Sequence, residues 1–222
     1  MSLQSIKIGK KNIGDKHPCY IVAELSGNHN GKLKNIFNLI NKAKKAGVNA
    51  VKIQAYEADT ITINSDKKDF KIKKNNSWNK YNTLYKLYKK AQTPLKWLPL
   101  IFKYCKKKNI TVFASVFDLK SLKILKSLNC PAYKIASPEI TDIPLLEEVA
   151  KTKKPVIIST GLSNFKDISL AFKTISKFNK KIIILKCTSA YPSKIEELNL
   201  KTILDLKKKF KCLVGFSDHT IG

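Results

Sequence analysis

Seven short apolar runs in this chain each end on polar residues of the kinds that bind or move charge. Residues 20–24 end on Glu24 and lead into Ser26-Gly27-Asn28-His29-Asn30-Gly31. Residues 50–54 carry Lys52 and Gln54, and 110–114 are followed by Ser115. Residues 132–135 carry Lys134, with Ser137 and Glu139 just beyond, and 155–159 lead into Ser159-Thr160-Gly161. Residues 181–186 end on Lys186, before Thr188, Ser189 and Tyr191, and 212–216 lead to Ser217-Asp218-His219-Thr220. A lysine is rarely buried unless paired, so Lys52, Lys134 and Lys186 inside apolar runs are informative. If they turn inward together, repulsion and desolvation call for an anion. A ligand bearing phosphate and carboxylate would offset that cost, with Ser137, Ser159 and Ser217 adding hydroxyl donors. Ser159-Thr160-Gly161 is expected to open a helix, whose first amides favour phosphate. The alternative is that these lysines point outward between helices and keep their ammonium groups in water.

Other residues leave two readings open. His219 follows a buried run and Asp218, and is either a structural histidine or a metal ligand. His29 sits in a Gly/Asn-rich turn, where a loop role and a functional one compete. His17 precedes Pro18 and reads as surface. Glu24 is functional or paired with one of the lysines. Tyr191-Pro192 reads as a turn or as part of the site.

The elements that would hold these residues follow from periodicity. The seven runs are short and rich in Val, Ile or Ala, as fully buried parallel strands are. Amphipathic patterns at 33–46, 94–108, 119–128, 143–151, 164–178 and 196–210 read as helices between them. Pro94 suits a first helical turn and Gly47 a C-terminal cap. Strict βα alternation implies a parallel sheet with right-handed crossovers. The expected fold is α/β, a TIM (β/α)8-type barrel, because the glycine fingerprint GxGxxG of an open dinucleotide-binding sheet is absent. A hairpin at 5–13, within an N-terminal segment 1–18, is expected to plug the bottom of the barrel. An insertion at 57–93, carrying Trp78, Tyr81, Tyr85 and Tyr88, lies on the catalytic side and reads as a lid. The last run finishes near residue 216, so the barrel is expected to lack its last strand and helix.

Composition bounds the function. With 222 residues, 43% of them hydrophobic, the chain has enough material for one core. Its net charge of +27 suggests nucleic acid at first sight. Every basic residue is Lys and none is Arg, however, and nucleic-acid readers lean on the arginine fork. The lysines sit mostly on polar helix faces, as in Lys106-Lys107-Lys108, so no nucleic-acid partner is expected. No apolar run approaches the roughly 18 residues of a membrane span. Residues 1–11 lack a continuous apolar stretch, so no signal peptide and a cytoplasmic location are expected. Five cysteines, an odd number, widely spaced and without CxxC, read as reduced thiols.

The motifs IVAELSGNHNG (21–31), VKIQAY (51–56), YKIASPEITD (133–142), IISTG (157–161), LKCTSAYP (185–192) and GFSDHT (215–220) resemble the sialic acid synthase family. The resemblance covers nearly the whole chain in order. DTIT (59–62), SWNKYNTLYKLYKKAQTP (77–94), EITD and CTSAYP are similar to its pseudaminic acid synthase branch. That family condenses phosphoenolpyruvate with an amino-sugar aldehyde. The resemblance implies a substrate of the 2,4-diacetamido-2,4,6-trideoxyhexose type, with N-acetylneuraminate or legionaminate synthesis as the alternatives. By position, Lys52, Ser115, Lys134, Ser137, Ser159 and Ser217 match residues that hold phosphoenolpyruvate. Lys186 joins them as a branch-specific position, where sialic acid synthases more often carry His. Glu24 matches a carboxylate beside the reacting centre, which makes Glu24, Lys52 and Lys134 the expected catalytic set. Asn28, His29, Glu139, Ser189 and Tyr191 match the sugar side. His219 matches one of two histidines that hold a divalent metal, Mn2+ or Mg2+, whose chemistry is to polarise the aldehyde. Val116 departs from the family, which has Pro there. A second metal histidine and an antifreeze-like C-terminal domain lie in the family beyond the matched stretch. The full-length form is expected to be a domain-swapped homodimer, and the 222-residue piece inactive by itself. A reading of another class is an inactive anion-binding barrel fragment.

Overall fold

The computed structural model describes residues 5–74, 76 and 78–221; Ser77, which opens the SWNKYNTL stretch, and Gly222 lie outside them. The chain divides into two compact units, Ile21–Cys130 on one side, and Met1–Tyr20 with Pro131–Gly222 on the other.

Ile21–Cys130 holds β3 (Val22–Glu24), β4 (Ala50–Ala55) and β5 (Thr111–Val116), parallel and in chain order. Helix α1 (Leu33–Lys45) connects the first two, and α4 (Leu98–Lys107) precedes β5, which α5 (Leu119–Ser127) follows. The spacing of Ile36, Ile40 and Ala43 puts one apolar stripe of α1 in the core. That helix ends at Gly47, whose φ of +82° lets its amide reach Lys44 O while the Val48 amide reaches Ala43 O. Asn109 and Asn129, each near φ +52°, end α4 and α5 the same way. Pro99, not Pro94, sits in the first turn of α4; Pro94 precedes a short 3-10 turn.

The insertion builds α2 (Ala58–Ile61) and α3 (Leu84–Ala91). Thr83 caps α3, and Tyr85 donates to Asp59 at 2.9 Å. Tyr56 meets Tyr88 and Phe117 edge to face. Trp78 is 43% exposed.

The other unit begins with an antiparallel hairpin, β1 (Ile6–Ile8) and β2 (Lys11–Ile13). A cleft lined by Ser5, Ile6, Lys7, Ile182, Cys212 and Leu213 places this hairpin beside the N-terminal ends of two strands, away from the polar strand ends. Those strands belong to a parallel set: β6 (Tyr133–Ile135), β7 (Val156–Ser159), β8 (Ile182–Cys187) and β9 (Leu213–Ser217). Between them run α6 (Ile143–Lys151), α7 (Phe165–Phe178) and α8 (Thr202–Phe210). Asp142 caps α6, and Asn164 with Asp167 closes a reciprocal capping box on α7. The expected helix at 196–210 begins only at Thr202, after a 3-10 turn at Ile195–Glu197.

The βα succession is therefore of the barrel type, with seven parallel strands, β3 to β9, among the described residues. No helix among them is long and apolar enough to cross a membrane. None of the five cysteines is in a disulfide; Cys19 is exposed and the other four are buried.

Candidate functional site

Side chains alternate along a strand, so register decides which polar residues share a face. In Ile21–Cys130, Glu24 pairs with Lys52, and Gln54 with Ser115, which puts all four on one face. The Lys52 ammonium forms an ion pair with Glu24 and donates to Ser115 Oγ at 3.3 Å. Glu24 also accepts from the Ser26 amide at 2.9 Å. The carboxylate ends β3 and the hydroxyl lies one residue from the end of β5, while the lysine reaches both from the middle of β4. There the lysine can turn its donors to an anion and the carboxylate can take or hold a proton.

In the other unit, Lys134 pairs with Ile157, Ser159 with Leu185, and Cys187 with Ser217. Lys134, Ser159, Cys187 and Ser217 therefore share a face. Lys134 is 6% exposed, and its ammonium makes no hydrogen bond or ion pair among the described residues. Ser159 Oγ is fully buried and also without a partner. Ser137 Oγ accepts from the Gly161 amide at 3.0 Å. A Cβ on Gly161 would lie 2.3 Å from Ser189 Oγ, 3.0 Å from Cys187 Sγ and 3.2 Å from Ser137 Oγ. Gly161 thus marks the floor of a tight polar cradle.

Burial pushes the Lys134 ammonium down to about 8, against the pull of Cys187 and Glu139. Burial would raise the Cys187 thiol, but hydrogen bonds with His219, Ser137 and Ser189 outweigh it and leave it at about 7. The same thiol, working against burial, raises His219 above its ordinary value. Burial lifts the Glu139 carboxyl to about 7, against its own backbone amide and the Lys134 charge. Glu139 Oε2 is buried without a partner.

The folded chain thus holds the Glu139 proton more tightly than the unfolded chain does. Its contribution to stability is full below the ordinary value of 4.5 and is lost as pH rises through about 7. Glu139→Gln is expected to lessen the fall in stability between about pH 4.5 and 7, read by urea unfolding. Unchanged slopes in the variant would dismiss this assignment.

His219 lies beside the cradle. Its Nδ1 is 2.8 Å from Thr188 O and 4.0 Å from Cys187 Sγ, and the Tyr191 ring lies tilted against its own with centroids 4.2 Å apart. A carbonyl can only accept, so Nδ1 carries a proton, and in the neutral ring Nε2 keeps the lone pair. That is the form in which a metal-bound histidine is usually held. Among the described residues no three His, Cys, Asp or Glu side chains gather as a metal shell. His219 fits as a single donor, and no coordination set is assigned around it.

Several expected site residues fall elsewhere. His29 is 1% exposed, with Nε2 at 3.1 Å from Ala91 O and Nδ1 accepting from the Gly31 amide. Burial lowers its basicity, so it is a neutral residue that ties the turn to the end of α3. It has no nitrogen left for a sugar. Gly27 allows the same approach, because a Cβ there would lie 2.9 Å from Ala91 Cβ. Asn28 is exposed. Lys186 points to the opposite face from Lys134 and Cys187, and its ammonium bonds Cys187 O and Thr188 Oγ1. It does not join the anion cradle. Ser159-Thr160-Gly161 does not open a helix either: α7 starts four residues later, and Asn164 already occupies the amides of Lys166 and Asp167. The anion-facing donors here are side chains. Sequence reasoning missed Cys187, the last residue of β8, which no local pattern in that apolar run sets apart.

A family model described as the NeuB family matches residues 39–222. Pseudaminic acid synthase of Campylobacter jejuni (serotype O:23/36) is 44% identical over 98% of this chain and 62% of that protein. N,N'-diacetyllegionaminic acid synthase of Legionella pneumophila is 34% identical over 96% and 61%. Among solved structures, N-acetylneuraminic acid synthetase of Leptospira borgpetersenii, in complex with citrate, matches with TM-score 0.86 and 34% identity, over 100% of this chain and 72% of that one. The chain spans about three fifths of the length of these curated relatives.

Proposed function

The chain belongs to the NeuB family, and from that premise we propose that it is the barrel part of a phosphoenolpyruvate-dependent nonulosonic acid synthase. The observation that carries the phosphoenolpyruvate half is Lys134, a buried ammonium that makes no hydrogen bond or ion pair among the described residues, on the same strand face as the orphaned hydroxyl of Ser159. A phosphorylated acid supplies the acceptors that both lack. Ser137 and Ser217 add hydroxyls on the same side. Within Ile21–Cys130, Lys52 is balanced by Glu24 and in contact with Ser115, a cluster that can by itself meet an anion and hold or move a proton. A divalent metal, Mn2+ or Mg2+, would supply Lewis acidity toward the sugar aldehyde, and His219 is this chain's donor for it. Glu139, Ser189 and Tyr191 are the residues left to meet the sugar.

The sugar we propose is 2,4-diacetamido-2,4,6-trideoxyhexose, and the product pseudaminic acid with release of phosphate. Its support is the higher identity to a pseudaminic acid synthase, 44%, than to a legionaminic acid synthase, 34%. The test is phosphate release from phosphoenolpyruvate with Mn2+ and each candidate sugar in turn, by a full-length synthase that carries this barrel. Release with the 2,4-diacetamido sugar, at least about tenfold faster than with N-acetylmannosamine, is expected. The reverse preference would assign another member's substrate, and no release with any sugar would remove the catalytic reading of this chain.

A further inference from the structure

The cleft beside the hairpin lies wholly within the unit of Met1–Tyr20 and Pro131–Gly222. It encloses about 660 Å3, a size that suits one small molecule. Its floor is apolar: Ile182 and Leu213 are buried there, and the half-buried Phe172 and Phe178 line it. Five exposed lysines form its rim, Lys7, Lys153, Lys180, Lys181 and Lys211, and among the described residues no Asp or Glu lines it. Lysine is common in this chain, 43 of 222 residues, but five of the fourteen lining residues is about twice that share.

Two of the five are tied to the cleft wall. The Lys153 ammonium donates to Phe178 O, and that of Lys181 to Lys153 O at 3.3 Å. Lys7, Lys180 and Lys211 make no hydrogen bond or ion pair among the described residues. Backbone conformation singles out Lys211. The left-handed residues that close α1, α4 and α5 are Gly47, Asn109 and Asn129, which take a positive φ at low cost. Those that close α6 and α8 are Lys153, at φ +59°, and Lys211, at φ +49°. Lys153 offsets the strain through its bond to Phe178 O, and Lys211 has no such bond. Strained positions of this kind gather at functional sites. A cation near a helix C-terminus also favours the helix dipole, but that does not account for Lys7, which leaves β1 between buried Ile6 and Ile8.

We propose that this cleft binds a nucleoside polyphosphate, its phosphates on Lys7, Lys180 and Lys211 and its base on the apolar floor. A cleft of one charge sign with a low-dielectric wall focuses its field on an anion. Ammonium groups without carboxylates nearby call for phosphate oxygens. Inorganic phosphate would leave the floor unused, whereas a base of any identity stacks on aromatic rings. The site is separate from the anion cradle. The cleft meets β8 and β9 at their N-terminal ends, Ile182 and Leu213, while Cys187 and Ser217 of the cradle face end those strands.

The test is calorimetric titration of this chain with ATP, without added metal, in about 0.15 M salt, where distant charges are screened. One-to-one binding with a Kd below about 1 mM is expected, and inorganic triphosphate should bind at least about fivefold more weakly for want of a base. The triple variant Lys7→Gln/Lys180→Gln/Lys211→Asn is expected to lose at least about tenfold in ATP affinity. Asparagine suits the positive φ at 211. If that variant does not fold, Lys7→Gln/Lys180→Gln leaves the helix end alone and should lose about fivefold. Lys106→Gln/Lys107→Gln/Lys108→Gln removes the same charge at the end of α4, and Lys134→Met removes the cradle ammonium; each is expected to change affinity by less than about twofold. No saturation up to about 10 mM, equal affinity for inorganic triphosphate, wild-type affinity in a folded cleft variant, or an equal loss in the α4 or Lys134 variant overturns the proposal. The titration contains neither phosphoenolpyruvate nor sugar, so its outcome is independent of the synthase reading.

Discussion

Replacing Lys134 by Met is expected to leave the protein more stable and unable to hold a phosphorylated acid. The unfolded chain binds the Lys134 proton with its ordinary value of 10.5, and the folded chain with about 8. Between those pH values the unfolded state binds more protons, so wild-type stability rises with pH across that window. Below about pH 8 the full cost of burying the charge is present, up to about 3 kcal/mol from the size of the shift. Methionine fills the same space without the charge, so urea unfolding at pH 7 should show a more stable variant. The gain should shrink toward pH 10. Phosphoenolpyruvate affinity should fall by about 100-fold or more, since the variant loses a charge-assisted bond in a dry cradle. A variant that is less stable at pH 7, or that binds as the wild type does, contradicts this placement of the ammonium.

Gly161→Ala is the second large effect. The backbone there lies outside the left-handed region, so the cost is one of space alone. The new methyl would meet Ser189 Oγ, Cys187 Sγ and Ser137 Oγ together. Ser189 can rotate away, but Cys187 sits on β8 and Ser137 is tied to the Gly161 amide. Overpacking of this kind costs about 1–3 kcal/mol of stability. Displacing the cradle hydroxyls should weaken phosphoenolpyruvate binding by about 10- to 100-fold, as small misplacements do. Calorimetric titration checks it; wild-type affinity in a folded variant would mean that the cradle does not touch the ligand.

The alternation of apolar runs and amphipathic segments made the strands and helices legible, because each is a local pattern. The faces of the strands were not local. Lys134 and Lys186 look alike in sequence, both at the end of an apolar run. Pairing of Ser159 with Leu185 places Lys134 with Cys187 and turns Lys186 away. That parity passes through neighbouring strands and cannot be read from one run. The setting of His29 was hidden for a similar reason: its partner, Ala91 O, lies 62 residues along the chain. The cap at Asn164 was legible, since Asn three residues before Asp is a capping box, and it moves the helix start away from Ser159. Glu24 with Lys52 was open between function and pairing, and the strand register joins the two side chains.

The most direct measurement is a calorimetric titration of this chain with phosphoenolpyruvate, with pyruvate as the comparison. Saturable one-to-one binding with a Kd below about 1 mM is predicted, with pyruvate at least about tenfold weaker because it lacks the phosphate that Lys134 and Ser159 await. No saturation up to about 10 mM, or equal affinity for pyruvate, would contradict the account.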